Sequence, residues 1–162
     1  ASKTCALDIV GAKFVREVEN GEIVYIENNE LKNIKPFPSK KPKPCVFEYI
    51  YFSRPDSILN GKCVYEYRKN FGKELAKEAD IDADLIVPVP DSGNAAAIGY
   101  SQHVKRNFDL GLIRNHYVGR TFIEPVQKIR SLGVKLKLNA NKSTIENKKL
   151  FDELLAVTGM RY

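Results

Sequence analysis

The sequence predicts an α/β fold built around a parallel sheet, and three observations carry that reading. Leu85-Ile86-Val87-Pro88-Val89 is a short run of β-formers punctuated by proline, followed by the polar turn Pro90-Asp91-Ser92-Gly93. The small-residue stretch from Asn94 then reads as a helix to about Phe108, and Leu110 to Ile113 as another short strand. Upstream, Val64, Tyr67, Phe71, Leu75 and Ala79 recur at helical spacing, which predicts an amphipathic helix over about 63–79. Strand and helix therefore alternate as they do around parallel sheets. In such sheets ligands bind at strand-to-helix turns on the carboxyl edge, which makes the 90–93 turn the first candidate site. Asp91 or Ser92 can cap the helix, and Gly93 allows a ligand to approach the backbone. The competing reading is a capped surface turn with no ligand.

Size and composition bound the possibilities. A chain of 162 residues, 43% of them hydrophobic, fits one ordinary domain or one domain carrying a piece of another. No apolar run reaches the roughly 18 residues needed to cross a bilayer. Asp8 interrupts the start where a secretion signal would be apolar, so no membrane association and a cytoplasmic location are expected. The chain begins with Ala1 rather than Met, which suggests a piece of a longer protein. Cys5, Cys45 and Cys63 are odd in number and widely spaced, as expected of reduced thiols. The net charge of +6 is concentrated: eleven basic residues lie between Lys105 and Lys149 against only Asp109, Glu124 and Glu146. That asymmetry suits a polyanionic ligand, either nucleic acid or a phosphorylated small molecule, although a solvated basic face is the simpler alternative.

Residues 1–44 resemble the tail of another unit. Gly21 to Ile26 and Leu31 to Phe37 read as a hairpin turned at Asn28-Asn29, and a lone hairpin must lean on neighbours to bury its apolar face. Pro36 to Pro44 is rich in proline and lysine, hence a stiff exposed connector and a domain boundary. Cys45 to Phe52 reads as an aromatic strand, with Arg54 the expected partner of Glu48.

Arg114 to Pro125 (R-N-H-Y-V-G-R-T-F-I-E-P) is too polar for a core strand. Arg114 and Arg120 offer forked donors suited to phosphate, Thr121 a hydroxyl, and Phe122 and Ile123 an apolar cover, as in a lid over a polyphosphate. Val126 to Leu132 reads as helix and Val134 to Leu138 as a strand with one basic face, which a lysine-guarded edge would also explain. Asn139 to Asn147 reads as a polar loop and Leu150 to Val157 as the start of a helix.

Three long stretches in order, C-V-F-E-Y-I-Y-F-S-R-P-D-S from Cys45, V-P-V-P-D-S-G from Val87 and G-L-I-R-N-H-Y-V-G-R-T-F-I-E-P from Gly111, resemble the glutamine phosphoribosylpyrophosphate amidotransferase family. Ala1 to Leu7 and Phe14 to Glu22 are similar to it as well, so the resemblance runs from residue 1 to about 149. It implies that residues 1–44 are the β-rich end of a glutaminase domain of the N-terminal-nucleophile kind, with a linker. Residues 45–162 would then be an incomplete type I phosphoribosyltransferase-like parallel sheet. The whole enzyme would take ammonia from glutamine and use it to displace pyrophosphate from phosphoribosyl pyrophosphate (PRPP). The product, phosphoribosylamine, begins purine synthesis. Such enzymes are implied to form homo-oligomers and to be inhibited by purine nucleotides.

Position by position, the resemblance makes Asp91-Ser92-Gly93 the pyrophosphate loop, with Ser92 near Mg²⁺, and makes 114–137 the loop that closes on PRPP. Arg120, Lys137 and Tyr117 take catalytic roles there; Arg114, Thr121, Phe122 and Ile123 hold substrate or line an ammonia path. A hydroxyl beside a helix N-terminus suits a Mg²⁺ that bridges phosphates. Cys45 stands where some members carry the first of four [4Fe–4S] ligands; others keep cysteine there without a cluster, and four thiolates are required. One departure is clear. After Leu150 the family's apolar strand ending in two aspartates is replaced by Phe151-Asp152-Glu153-Leu154, and Asp152-Glu153 is not assigned that role. With the glutaminase nucleophile also absent, the chain is expected to be inactive alone. Two other readings compete: a non-catalytic PRPP-binding regulator that contacts nucleic acid, and a structural α/β module. The first lacks any helix-turn-helix or zinc-finger pattern, so nucleic acid is not the expected partner; the second leaves Arg114 to Pro125 unexplained.

Overall fold

A computed structural model describes residues 1, 3–119 and 125–151 of the chain. Its centre is a three-stranded parallel sheet. Strand β5 (Leu85–Ile86) lies between β6 (Asn107–Phe108) and β9 (Leu150–Phe151), pairing Leu85 with Asn107 on one side and with Leu150 on the other. The remaining pairs are short antiparallel ribbons: β1 (Ile23–Glu27) with β2 (Glu30–Ile34), β3 (Ile58–Leu59) with β4 (Lys62–Cys63), and β7 (Leu112–Arg114) with β8 (Leu138–Ala140). The hairpin β1–β2 turns at Asn28-Asn29, both at positive φ (50° and 64°), the backbone that a tight two-residue turn demands.

Helix α3 (Asn94–Val104) packs on the sheet, and helix α2 (Val64–Glu78) packs on α3. Helix α2 forms where the spacing predicts, but its buried face is offset from the predicted stripe: Val64, Arg68, Gly72 and Ala76 are buried, whereas Tyr67, Phe71 and Leu75 are half-buried. Helix α3 buries Ala95, Ala96, Ala97, Gly99, Tyr100 and Ser101, so its small residues are there for packing. Ala76, Ala83, Ile86, Ala96, Ala97 and Tyr100 form the core, with Leu75, Ile81, Val104 and Phe108 against it. Tyr100 closes the end of α2: its hydroxyl donates to the Ala79 carbonyl at 2.6 Å and accepts from the Ile81 N–H at 3.2 Å.

Several expectations are corrected. Residues 48–52 are not strand but a π-helical turn (Glu48–Phe52), whose last link is Ser53 N–H to Glu48 carbonyl at 3.1 Å. Arg68 decides this. Its Nε donates to the Tyr49 carbonyl at 2.8 Å and its Nη2 to the Ser53 carbonyl at 2.7 Å, satisfying a turn that aromatic β-propensity alone would have extended. Burial pulls the Arg68 guanidinium below its ordinary pKa. Glu48 pairs with Lys3, not Arg54, and accepts from the Ser53 hydroxyl at 2.6 Å; these bonds hold its carboxyl below the usual range. Arg54 turns instead to its near neighbour Asp56, at 2.7 Å. Lys3 and Thr4, which lead into helix α1 (Cys5–Ile9), tie the start of the chain to the 48–58 corner, Thr4 Oγ accepting the Ile58 N–H at 2.7 Å. Cys5 is buried beneath Ser57, whereas Cys63 is only half-buried.

Helix α3 stops at Val104 because Lys105 is left-handed (φ 56°), and the chain returns to the sheet at 107–108 rather than 110–113. The next strand, β7, leaves the parallel sheet altogether. Val134 to Lys137 is helix, the end of α4 (Gln127–Lys137), with only Leu138 starting β8. Ile129, Leu132 and Leu136 are also spaced for a helix face, and that period wins over the local alternation. The expected polar loop 139–147 includes the end of β8 and the short helix α5 (Lys142–Ile145). Leu150–Phe151 is a strand, not a helix start: the Asp84 N–H donates to the Lys149 carbonyl at 2.8 Å, and the Asp84 carboxylate accepts the Lys149 N–H at 2.9 Å, steering the chain beside β5.

Candidate active site

Beyond β5 the chain continues through Val87 and Pro88, both essentially buried, to the exposed residues Asp91 and Ser92. The Pro90–Asp91 peptide is cis. The sequence expectation that Asp91 or Ser92 caps α3 is not met: Gly93 occupies the cap position, with no side-chain cap. Asp91 is unavailable because its carboxylate is engaged elsewhere. The turn is held by its own backbone instead, Gly93 N–H to Val89 carbonyl at 3.1 Å and Asn94 N–H to Asp91 carbonyl at 3.3 Å. A Cβ on Gly93 would sit 2.8 Å from the Val89 carbonyl oxygen, so this glycine is required by close packing; its φ is an ordinary −76°. The first-turn N–H groups of a helix have no intrahelical acceptor and carry partial positive charge, so the turn is electrically suited to an anion.

The carboxylate of Asp91 receives Nη1 of Arg114. Arg114 ends β7, and the β7–β8 ribbon pairs it with Leu138. Gly111 sets the approach of this ribbon to the sheet: a Cβ there would lie 2.8 Å from Val87 and 2.7 Å from Ile145 side-chain atoms. The fold thus brings the turn after β5 and the start of the cationic stretch together, 23 residues apart in sequence.

Past Arg114 the ribbon closes like a neck. The Asn115 N–H donates to the Lys137 carbonyl at 2.7 Å, and its side-chain oxygen accepts the Tyr117 N–H at 3.0 Å. Lys137 Nζ donates to the Gly119 carbonyl at 3.1 Å, so this ammonium holds the backbone next to Arg120. Tyr117 is fully exposed. Arg114, Asn115, Lys137 and Lys142 line a groove along the neck, with Ile113 and Leu136 at its apolar side. Arg120, Thr121, Phe122 and Ile123 lie outside the described residues. Asn115 had no role in the sequence reading; its place two residues before Tyr117 in a turn-forming stretch is the signal that could have found it.

Metal and cluster chemistry have few donors here. Among the described residues no group of three or more His, Cys, Asp or Glu side chains converges. Cys45 is exposed at the end of the connector, so the residues present do not fit a [4Fe–4S] cluster by themselves. For Mg²⁺ the exposed Ser92 hydroxyl is a hard-oxygen donor of the kind that assists an ion held chiefly by phosphates, and the Asp91 carboxylate can join it only once Arg114 no longer holds it. No described helix is long and apolar enough to cross a membrane.

No family model matches the chain. Individual proteins do. It is 55% identical over 154 residues to the amidophosphoribosyltransferase of Rhizobium etli, covering 92% of this chain and 31% of that protein. The Synechocystis amidophosphoribosyltransferase is 52% identical over 150 residues, with 93% and 30% covered, and chloroplastic amidophosphoribosyltransferase 2 of Arabidopsis thaliana is 50% identical over the same length. Among solved structures, glutamine PRPP amidotransferase from B. subtilis, complexed with ADP and GMP, superposes with a TM-score of 0.82 at 46% identity over 93% of this chain and 33% of that one. The chain therefore spans about a third of the length of the relatives it matches, and over that third shares their fold.

Proposed function

We propose that this chain, homologous through nearly all its length to one third of the amidophosphoribosyltransferases, supplies the pyrophosphate-binding half of a PRPP amidotransferase active site. The observation that carries the reading is the Asp91–Arg114 pairing, which joins the turn at the α3 N-terminus to the cationic stretch. In the reaction an ammonia nitrogen derived from glutamine bonds to the anomeric carbon of PRPP as the bond from that carbon to pyrophosphate breaks. Phosphoribosylamine and pyrophosphate are the products, and the ammonia loses one proton. The protein's task is to hold and neutralise the departing pyrophosphate, which is electrostatic work.

In this reading the Asp91-Ser92 backbone and the first-turn N–H groups of α3 beyond Asn94 cradle pyrophosphate oxygens, while the Gly93 and Asn94 N–H groups hold the turn in shape. Arg114 and Arg120 supply forked cationic donors. Lys137 adds charge while bonded to the Gly119 carbonyl, so it also positions the peptide leading into Arg120. Tyr117 and Thr121 orient substrate, and Phe122 and Ile123 exclude water. Asp91 and Ser92 would help to hold Mg²⁺, which when bound neutralises phosphate charge. Residues 1–44 would end the glutaminase part.

The test is a chimera in which the matched third of the B. subtilis enzyme is exchanged for the matched residues of this chain. Glutamine- and PRPP-dependent phosphoribosylamine formation is expected, lost on Arg120→Ala. A folded chimera that still hydrolyses glutamine but makes no phosphoribosylamine would overturn the assignment. The isolated chain is expected to turn over neither substrate.

A further inference from the structure

We propose that Asp91 is an internal place-holder for the anion that Arg114 binds: the carboxylate occupies the guanidinium while the turn is empty, and an entering polyphosphate takes the guanidinium from it. The inference rests on the reading of 90–93 as a pyrophosphate loop and adds a restraint built into that same site.

The pairing is incomplete in a way that favours exchange. Arg114 gives Asp91 only Nη1, and its Nε is buried with no acceptor among the described residues. A buried donor left unmade is costly, and a one-point contact forgoes the forked geometry a guanidinium can offer. An anion with several oxygens can satisfy more of it. Asp91, in contrast, is easily released. Its side chain is 52% exposed against 31% for Arg114, so water can take over its solvation.

Neither segment needs the pair for its own placement. The turn is fixed by the Gly93 and Asn94 backbone bonds, and β7 by its register with β8, by Asn115 N–H to the Lys137 carbonyl and by Asn141 N–H to the Gly111 carbonyl at 2.8 Å. Asp91→Asn is accordingly expected to leave the unfolding midpoint in urea unchanged. A clear loss of stability in that variant would mark the pair as a structural brace and overturn the proposal.

The decisive experiment is calorimetric titration of inorganic pyrophosphate, without divalent metal and at low salt, into the wild-type chain, Asp91→Asn, Arg114→Gln and the double variant. Asp91→Asn is expected to tighten binding about two- to fivefold, the range of an exposed ion pair. Arg114→Gln is expected to weaken it, and the gain from Asp91→Asn to shrink when Arg114 is gone. A gain equal or larger without Arg114 would mean simple charge repulsion and overturn the exchange. Failure of all four proteins to bind would overturn it as well, while the chimera's phosphoribosylamine synthesis judges the enzyme assignment separately.

Discussion

Gly72 of α2 lies so close to Ala96 of α3 that a Cβ on the glycine would fall 1.8 Å from the Ala96 carbonyl oxygen. Gly99 makes the reciprocal approach, its Cβ position lying 1.9 Å from the Lys69 carbonyl oxygen. The two helices therefore touch backbone to backbone, and α3, which begins at the candidate pyrophosphate turn, is located by that contact. Gly72→Ala is expected to force the helices apart and cost about 3 kcal/mol, the upper range for overpacking. Urea unfolding of the variant measures it; a loss below about 1 kcal/mol would mean the crossing adjusts freely.

Arg68 is the second anchor. It bridges the Tyr49 and Ser53 carbonyls from α2, holding the π-helical turn against the helix. Arg68→Lys keeps the charge but a single ammonium replaces the planar fork, so one carbonyl loses its donor. A loss of about 2 kcal/mol in unfolding free energy is expected, with Arg68→Met at least as damaging.

Acid should act on the hairpin through Glu22. Its side chain, 1% exposed, accepts from Arg16 at 2.7 and 2.8 Å, from the Glu19 N–H at 2.8 Å and from Asn33 at 2.8 Å. The Arg16 bond above all, then the Glu19 N–H, lowers its pKa from 4.5 to about 2. Folding thus favours the ionised form. The stabilisation is fully present above the ordinary pKa of 4.5 and disappears as pH falls through about 2. Wild type should lose stability between pH 5 and pH 3 more steeply than Glu22→Gln, followed by urea midpoints, and the carboxyl carbon resonance of Glu22 should titrate near the lower value.

The three thiols should separate by access. Cys45 is exposed, Cys63 half-buried and Cys5 buried. An aromatic disulfide reagent is expected to modify Cys45 first, Cys63 more slowly and Cys5 only in denaturant. Rapid modification of Cys5 in the native protein would show that the Lys3–Thr4 attachment to the 48–58 corner opens readily.

Where a segment's own pattern dominates, the sequence was sufficient. Helix α2 follows from its apolar spacing, the hairpin from Asn28-Asn29, and the strand–turn–helix at 85–104 from β-formers, proline and small residues. It was insufficient where a distant partner decides. The aromatic stretch at 48–52 becomes a π-helical turn because Arg68 satisfies its carbonyls from nineteen and fifteen residues away. Asp91 does not cap α3 because Arg114 claims its carboxylate. The strand at 107–108 was hidden by a helix that runs on in propensity but ends at left-handed Lys105. Within the site, the residue types were legible, whereas the Lys137 bond to Gly119 and the Asn115 pin depend on β7 meeting β8.

Titration of inorganic pyrophosphate into the ¹⁵N-labelled chain, followed at its backbone amides, shows whether the 90–93 turn is a polyphosphate site. Progressive shifts are expected, confined to residues 91–97 and 112–119 and largest at Ser92, Gly93 and the first turn of α3. Absence of shifts at millimolar pyrophosphate, or shifts centred on the Arg16 and Lys35 side of the hairpin instead, would contradict a polyphosphate site there.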